Sequence, residues 1–287
     1  MSTNNLISII VCSVNSDLFR QFQKNVDDTI GCEFEIIRID NTKAGKGICE
    51  IYNEGFSRAN GNVICYCHED ILFETNIWGL QLNELLSMQE IGLVGCAGAI
   101  YKSKYPNAWV AVPREYYRAN MIQKKGDGTS FYTHVLDNGN YSEVAVLDGC
   151  FLAGRNEVFE KYKWNQDFLK GFHLYDIDMS LQVKASYKLV VANEIKITHL
   201  SEGNFGLDWL RESERFHRKN KERLPVSVKS LSTKEQKELD YFGMNAYLHQ
   251  LKQLKEPFLK IWLNLFRTLS IRPFKKQNLS IIKTFAE

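Results

Sequence analysis

The chain has 287 residues, of which 44% are hydrophobic and 24% charged, and its formal net charge is +2. These values are ordinary for a soluble globular protein and fit one large domain or a domain with an appendage. The longest apolar runs fall far short of the roughly 20 residues that span a bilayer, which argues against a membrane-spanning protein. Residues 1–204 hold 19 Lys/Arg against 25 Asp/Glu, whereas residues 205–287 hold 17 against 9, so an acidic part precedes a basic tail.

The seven cysteines are scattered, and no pair forms a C-x-x-C motif. An odd, unpatterned set of cysteines in apolar runs predicts free thiols in a reducing cytosol. The N-terminus lacks a basic segment before its first apolar run, so we expect no signal peptide and a cytoplasmic protein. A peripheral position at the inner face of the membrane stays open.

The first hundred residues alternate between two kinds of hydrophobic pattern. Short β-branched and aromatic runs predict strands at 6–12, 34–39, 63–67 and 92–96. Longer amphipathic stretches predict helices at 17–30, 48–59 and 78–88. This order predicts an α/β protein with a mostly parallel sheet and helices on both faces.

Polar residues follow three of these strands where each one ends. They are Ser13, then Asp40 and Asn41, then His68, Glu69 and Asp70. In an open α/β sheet, ligands bind at the carboxyl ends of the strands. Side chains two residues apart in an extended chain point the same way, so His68 and Asp70 can share one cation. The alternative is a solvated acidic turn.

This rim suits a ribose, a base and a metal-bound phosphate, but the chain lacks a phosphate-binding loop. The segment Gly45-Lys46-Gly47 fails as a dinucleotide fingerprint, because Glu50 occupies the third glycine position and no strand directly precedes it. A bound diphosphate would therefore need a divalent cation, which His68 and Asp70 could hold.

The middle of the chain has weaker periodicity. Residues 97–140 predict irregular structure, with a turn or mobile loop at 124–129. A strand at 141–147 then runs into Asp148 and Gly149. A glycine after an acid lets a ligand approach the backbone, although a plain turn at the end of a strand explains it equally well.

Two further carboxylates and a histidine follow. Asp176 falls near a helix N-terminus, where it either caps the helix or acts as a general base. Asp178 points to another side of the same helix and suits bracing the site. Short strands at 189–192 and 195–198 precede His199, whose position before the loop 201–204 is typical of a ligand on a flap.

In this order the residues resemble the nucleotide-sugar-dependent glycosyltransferases of the GT-A fold, family 2, and most closely the small bacterial subgroup with His-x-Asp. The matching features are the strand 6–12, Asp40-Asn41, Asn53-Glu54-Gly55, the acidic triplet ending at Asp70, Asp148-Gly149, Tyr175-Asp176-Ile177-Asp178 and His199. The resemblance spans roughly residues 5–225. It predicts a GT-A domain over 1–225 and a helical basic extension over 226–287.

The resemblance implies roles for these positions. It places the donor nucleotide at Ser13, Asp40, Asn41, His68 and Glu69. It places Mn²⁺ or Mg²⁺ at Asp70 and His199, with His68 as a third ligand, and the sugars at Asp148, Gly149 and Asp178. Two positions depart from the family pattern, since His68 and Tyr175 each stand where an acid is usual.

The implied reaction is an inverting transfer of a sugar to the hydroxyl of a glycan, lipid-linked or protein acceptor. Asp176 would deprotonate that hydroxyl while the metal stabilises the leaving nucleoside diphosphate. A nucleotidyltransferase is an alternative, although residues 13–17 contain no Lys or Arg for a phosphate-binding loop. His68 and Tyr175 keep a third hypothesis open, a non-catalytic nucleotide-sugar or glycan-binding module.

The basic tail predicts two helices, at 233–255 and 257–269. In the second helix an apolar stripe includes Phe258, Trp262, Leu265 and Phe266. It predicts packing on the catalytic domain or on a second subunit, as in a homodimer. The alternative is an interfacial membrane anchor, because basic residues beside an apolar face attract anionic lipid headgroups. The tail lacks the aromatic interleaving of a nucleic-acid-binding segment.

Overall fold

A computed structural model describes residues 6–286, which divide into two compact units. Unit 1 contains residues 6–100 and Tyr117–Gly203, and unit 2 contains Tyr101–Tyr116 and residues 204–286. The domain boundary expected near residue 225 stays a prediction.

The secondary structure alternates as expected over the first hundred residues. The strands are β1 (Ile7–Ser13), β2 (Phe34–Asp40), β3 (Val63–His68), β4 (Ile71–Phe73), β5 (Ile91–Gly95), β6 (Ala97–Ala99), β7 (Tyr101–Lys102), β8 (Tyr117–Lys124), β9 (Ser130–Val135), β10 (Tyr141–Val144), β11 (Val146–Leu147), β12 (Phe151–Arg155), β13 (Lys188–Ala192), β14 (Ile197–His199) and β15 (Val226–Ser227). The helices are α1 (Ser16–Thr29), α2 (Ile48–Phe56), α3 (Trp78–Ser87), α4 (Asn156–Lys161), α5 (Tyr175–Val183), α6 (Leu207–Lys219), α7 (Thr233–Gln253), α8 (Phe258–Ile271) and α9 (Gln277–Ala286).

The main sheet of unit 1 has the strand order β10-β13-β5-β12-β3-β1-β2. Strand β1 is parallel to both β2 and β3, and β13 is parallel to β5, whereas β12 runs antiparallel to β3 and β5. The register pairs Ser13 with Asp40 and Cys12 with His68. The polar ends of the first three strands therefore meet at one edge of the sheet.

The chain forms these elements because its apolar residues fit a sheet covered on both faces. Residues 63–67 of β3 are all buried, as a continuous apolar run in a central strand requires. On α1, Phe19, Phe22 and Val26 are buried at helical spacing, and the Asn15 side chain caps the helix by accepting hydrogen bonds from the first backbone amides. All seven cysteines are free, as predicted.

A second sheet in unit 1 has the order β11-β6-β8-β14-β4, with β9 paired to β8. Strands β14 and β4 are antiparallel and place His199 opposite Ile71. The expectation of irregular structure over 97–140 was wrong for β8 and β9, which form a hairpin closed by the predicted turn at 124–129. Strand β9 is mostly exposed on both faces, so it lacks the alternation that identifies a strand in sequence.

Unit 2 contains the helices α6 to α9 and the short antiparallel pair β7–β15. The two predicted tail helices correspond to α7 and α8, while α6 and α9 were not predicted. A hydrophobic cluster joins α7, α8 and α9 through Tyr241, Leu248, Leu265, Ile281 and Phe285. Within residues 6–286, no helix combines the length and hydropathy needed to cross a bilayer.

Candidate active site

Three potential metal ligands lie together at the rim where β3 ends. His68 is the last residue of β3, Asp70 lies in the turn before β4, and the pairing of β4 with β14 brings His199 beside them. Asp70 Oδ1 is 3.5 Å from His199 Nε2 and 3.9 Å from His68 Nδ1. One ligand atom from each residue lies within 4.8 Å of the others, which is compact enough for a single cation.

The orientation of His199 is set by Gln123 on the neighbouring strand β8. The Nδ1 atom of His199 lies 3.2 Å from Gln123 Oε1, and the Gln123 amide donates to the backbone carbonyl of Ser201 at 2.5 Å. An amide oxygen can only accept, so His199 carries its proton on Nδ1. In its neutral form His199 therefore has a lone pair on Nε2, and this buried atom lies 3.5 Å from Asp70 Oδ1. A second group that orients a histidine in this way is typical of metal ligands.

His68 is oriented by Tyr175, so the two departures from the family pattern contact each other. The Tyr175 hydroxyl donates to the Gly149 carbonyl at 3.1 Å and lies 2.6 Å from His68 Nε2. With its one proton donated to the Gly149 carbonyl, the phenol accepts from His68 Nε2, and in this tautomer the Nδ1 lone pair of His68 faces Asp70. A Cβ atom at Gly149 would lie 2.3 Å from the Tyr175 hydroxyl. Gly149 is thus required for this contact.

The electrostatics of the cluster follow from burial and from the neighbouring charges. Burial raises the pKa of Asp70, but the adjacent His199 and His68 imidazoles outweigh this effect and hold the pKa below its usual value. Burial lowers the pKa of His199, yet Asp70 and then Asp148 reverse this effect and raise it. The pKa of His68 is lowered by burial and by the charge of His199. The cluster therefore favours an ionised carboxylate beside imidazoles.

Asp176 lies at the start of α5, directly after Tyr175. The preceding residue, Leu174, is buried and adopts a left-handed conformation with φ of 60°, which is strained for a branched side chain. The Asp176 carboxylate accepts a hydrogen bond from the Ile177 amide at 2.8 Å. Burial, and next the charge of Asp148, raise the pKa of Asp176 to about 7. A carboxyl group with this pKa is suited to accept a proton at neutral pH.

The nucleotide-binding candidates on β1 and β2 form a second group at the same rim. Ser13 is buried and its hydroxyl accepts a hydrogen bond from Arg38 at 3.0 Å. Asp40 is exposed and accepts hydrogen bonds from the Thr42 amide and hydroxyl. The Asn41 side chain exchanges two hydrogen bonds with the backbone of Lys46 and thereby holds the loop before α2.

The three remaining acidic candidates, Glu69, Asp178 and Asp148, accept hydrogen bonds from other groups of the protein. The buried Glu69 accepts hydrogen bonds from the amides of Val14 and Asn15 at 3.0 and 2.9 Å, while its other oxygen is buried without a partner. Asp178 is buried and accepts from Gln182 at 2.9 Å. Asp148 accepts from the Cys150 amide at 2.8 Å. Their assigned roles in binding the nucleotide or the sugars stay predictions.

Sequence reasoning missed two residues that act on the site through others. Gln123 belongs to the hairpin that was read as irregular, so nothing indicated that it pairs with His199. Arg38 lies in β2 and bonds Ser13 as well as Ser16. The available signal was a charged residue two positions before the end of the half-buried strand β2, because it points to the same face as Asp40.

Comparison with solved structures identifies the fold. GalNAc-T7, solved with UDP, GalNAc and Mn²⁺, superimposes with a TM-score of 0.52 at 11% identity over 85% of this chain and 52% of that chain. S. aureus TarS gives a TM-score of 0.54 at 10% identity over 93% of this chain and 49% of that chain. The chain thus spans about half the length of these two proteins. Residues 1–349 of TarS with UDP give a TM-score of 0.52 at 10% identity, with 93% and 81% of the two chains covered.

These similarities confirm the predicted GT-A fold, with its sheet flanked by helices. A family model described as glycosyltransferase like family matches residues 8–219. The chain therefore belongs to this glycosyltransferase family. The resemblance inferred from the order of motifs is confirmed, and His68 and Asp70 form the His-x-Asp of the subgroup. No curated protein sequence matches the chain.

Proposed function

We propose that the protein transfers a sugar, with inversion at the anomeric carbon, from a nucleoside-diphosphate donor to an acceptor hydroxyl of a glycan, a lipid-linked saccharide or a protein. The observation that carries this proposal is the proximity of two groups within unit 1. One is the ligand cluster of His68, Asp70 and His199, and the other is Asp176 with its pKa raised to about 7. The contact between His68 and Tyr175, the neighbour of Asp176, joins these two groups.

The ligand cluster fits a divalent cation. The buried Nε2 of His199 has no hydrogen-bond partner, and in their neutral forms both imidazoles have a lone pair on the nitrogen that faces the Asp70 carboxylate. Imidazole ligands suit Mn²⁺ better than Mg²⁺, which prefers oxygen ligands only. The solved structure of GalNAc-T7, which has the same fold, contains Mn²⁺. When bound here, the cation would neutralise charge on the leaving nucleoside diphosphate.

Asp176 would act as the general base. Its carboxylate would take the proton from the acceptor hydroxyl as the hydroxyl oxygen attacks the anomeric carbon and the bond to the diphosphate breaks. The nearby Asp148 raises the proton affinity of Asp176, and the hydrogen bond from the Ile177 amide fixes its orientation. A base with a pKa near the working pH is the most effective one.

The donor nucleotide would bind across the ends of β1 and β2, where Ser13, Asp40 and Asn41 lie. The exposed Asp40 carboxylate is an acceptor for ribose hydroxyls. Glu69 would act indirectly, because its hydrogen bonds hold the backbone between β1 and α1 that borders this surface. His68 would serve the cation rather than the nucleotide, since its Nε2 is engaged by Tyr175.

The experiment is a panel of nucleotide sugars measured with and without Mn²⁺. Thermal shift identifies the donor, because a ligand that binds only the folded state raises the melting temperature. Release of the nucleoside diphosphate then measures turnover. Asp176→Asn should keep donor binding and lose turnover by on the order of 10²–10⁴-fold. The control Asp27→Asn alters an exposed acid on α1 and should keep both.

Two results would oppose the proposal. Turnover that survives in Asp176→Asn would remove Asp176 as the base. Donor binding without any turnover, across acceptors of all three kinds, would favour the non-catalytic binding module.

A further inference from the structure

One side of α8 presents large apolar side chains to solvent. Phe258 is 74% exposed, Leu259 70%, Leu263 51% and Phe266 61%. Trp262 lies among them and is half-buried, with its ring centroid 5.5 Å from that of Phe258 and 6.0 Å from that of Phe266. We call these five residues the α8 face. Soluble proteins rarely expose a contiguous apolar patch of this kind unless it binds something.

Four residues of the α8 face lie outside the core cluster of unit 2, and Trp262 packs partly against it. The opposite side of the helix supplies the buried residues, Asn264, Leu265 and Thr268, and Leu265 belongs to the cluster with α7 and α9. The single apolar stripe predicted from the sequence is therefore divided between two sides of the helix. One side packs inside the unit, and the other leaves three aromatic rings partly or largely exposed.

The segment that contains the α8 face is basic. Residues 257–286 contain six Lys/Arg and no Asp or Glu. Lys276 and Lys283 are exposed, and Phe274 is 99% exposed in the loop between α8 and α9. Arg272 and Lys275 flank Phe274 in that loop and pair with Glu238. A fully exposed aromatic ring thus lies between cationic side chains.

A second copy of the chain matches this surface poorly. In a symmetric dimer the same patch contacts itself. The exposed cations Lys276 and Lys283 would then approach their own copies, since Glu214, Glu238 and Glu256 already pair with Lys260, Arg272 and Lys275. An anionic bilayer surface supplies both an apolar layer for the aromatic rings and negative headgroups for the lysines. The charge of the patch therefore favours lipid over a second copy.

We propose that the α8 face and the exposed Phe274 insert into the headgroup region of an anionic phospholipid bilayer, with Lys276 and Lys283 contacting the headgroups. The helix would lie in the plane of the membrane surface. This inference goes beyond sugar transfer and does not depend on it, because unit 2 carries all the residues involved.

The test is cosedimentation of the full chain with vesicles of equal parts phosphatidylcholine and phosphatidylglycerol, compared with vesicles of phosphatidylcholine alone. The chain should bind the anionic vesicles, bind the neutral ones at least about tenfold more weakly, and dissociate as salt rises. Trp262 provides a second readout, because the other four tryptophans are buried. Its emission should shift to shorter wavelength on binding.

Matched pairs of variants separate the apolar and the charged contributions. Leu263→Ser with Phe266→Ser should weaken vesicle binding at least about tenfold. Leu80→Ser with Phe131→Ser removes side chains that are 48% and 47% exposed elsewhere and should leave binding unchanged. Lys276→Glu with Lys283→Glu should weaken binding by a similar factor. The control Lys219→Glu with Lys221→Glu makes the same charge change outside residues 257–286 and should not.

The variants alter exposed side chains, so an unchanged melting temperature will show that each one folds. Absence of binding to the anionic vesicles would overturn the proposal, as would an equal loss in the control pairs. Dimerisation in solution that Leu263→Ser with Phe266→Ser abolishes, without vesicle binding, would assign the α8 face to a second copy instead.

Discussion

Two buried histidines, one in each unit, lie in opposite surroundings. In unit 1, His199 Nε2 lies 3.5 Å from Asp70 Oδ1, and this carboxylate outweighs the effect of burial and raises the pKa of the imidazole. In unit 2, His217 Nε2 lies 2.8 Å from Lys102 Nζ, and its Nδ1 donates to the Ser213 carbonyl at 2.7 Å. Burial and then the charge of Lys102 hold the pKa of His217 well below its usual value.

The difference distinguishes a site built for a ligand from a polar core that is already complete. The buried Lys102 ammonium also donates to Asn107 Oδ1 at 2.8 Å and to the Ser103 carbonyl at 3.0 Å, so the protein supplies its own cation there. Around His199 the acceptors are present and, under the proposed function, the cation would come from solution. We therefore expect the unit 1 cluster to cost stability and the unit 2 cluster to contribute it.

The largest expected effect is a gain in stability for Asp176→Asn. The folded-state pKa of about 7 lies above the ordinary value of 3.8, so the folded state holds this proton more tightly than the unfolded chain does. Stability consequently falls as pH rises from about 4 to about 7, by up to about 4 kcal/mol for this shift. Asparagine does not ionise and still accepts the Ile177 hydrogen bond.

Urea denaturation at several pH values measures this effect. The excess stability of Asp176→Asn over wild type should be greatest at pH 8 and smaller at pH 5. A variant less stable than wild type at pH 8 would show that burial of this carboxylate carries no penalty. Asp27→Asn, at an exposed position, serves as the control.

Next in size is the loss of metal affinity in Asp70→Ala. This carboxylate is the shared neighbour of both imidazoles, at 3.5 and 3.9 Å. Loss of a residue that only supports a metal ligand lowers affinity by up to about 100-fold. Asp70 would bind the metal directly, so we expect Mn²⁺ affinity, measured by calorimetry, to fall by at least that factor. Unchanged affinity would mean that the cation binds elsewhere.

A smaller effect, a loss of stability where Asp176→Asn gives a gain, is expected for Lys102→Met in unit 2. The variant leaves Asn107 Oδ1 and His217 Nε2 without their buried donor, which should lower the free energy of unfolding by about 2 kcal/mol. Its Mn²⁺ affinity should equal that of wild type. A stability gain, as when a buried charge is replaced by a well-packed apolar side chain, would contradict the view that this core is complete. Lys219→Met is the exposed control.

The smallest expected effect is that of Tyr175→Phe. The phenylalanine removes the group that accepts the proton of His68 Nε2, so His68 no longer has a fixed tautomer. Mn²⁺ affinity should fall by about tenfold. Tyr162→Phe removes a tyrosine hydroxyl that bonds Ser186 on the surface, and it should leave the affinity unaltered. Equal Mn²⁺ affinities in the two variants would show that the Tyr175 hydroxyl does not contribute to the metal site.

The sequence predicted features that depend on residues close together in the chain. The starts of α2 at Ile48 and of α3 at Trp78 match the structure, because hydrophobic periodicity determines them. The polar ends of β1, β2 and β3 were also recognised as one rim, since parallel strands end at one edge of a sheet. These inferences needed only the order of elements.

Contacts between distant residues were beyond reach. No sequence pattern indicates the register of β14 on β4, although this pairing brings His199 to Asp70. His68 and Tyr175 each looked like an isolated departure from a family pattern, whereas together they form one hydrogen-bonded pair. No local pattern links His217 to its partner Lys102, which is 115 positions away in the chain. Whether a buried polar side chain finds a hydrogen-bond partner depends on the three-dimensional fold, and hydrophobic periodicity does not encode it.

The pairing of β4 with β14 also affects how the protein is made. The Leu200 amide donates to the Asp70 carbonyl at 2.9 Å, so the turn bearing Asp70 is completed by residues that leave the ribosome much later. A nascent chain that has emerged only as far as α5 would hold two of the three ligand side chains. The group of His68, Asp70 and His199 is therefore complete only after β14 has been synthesised.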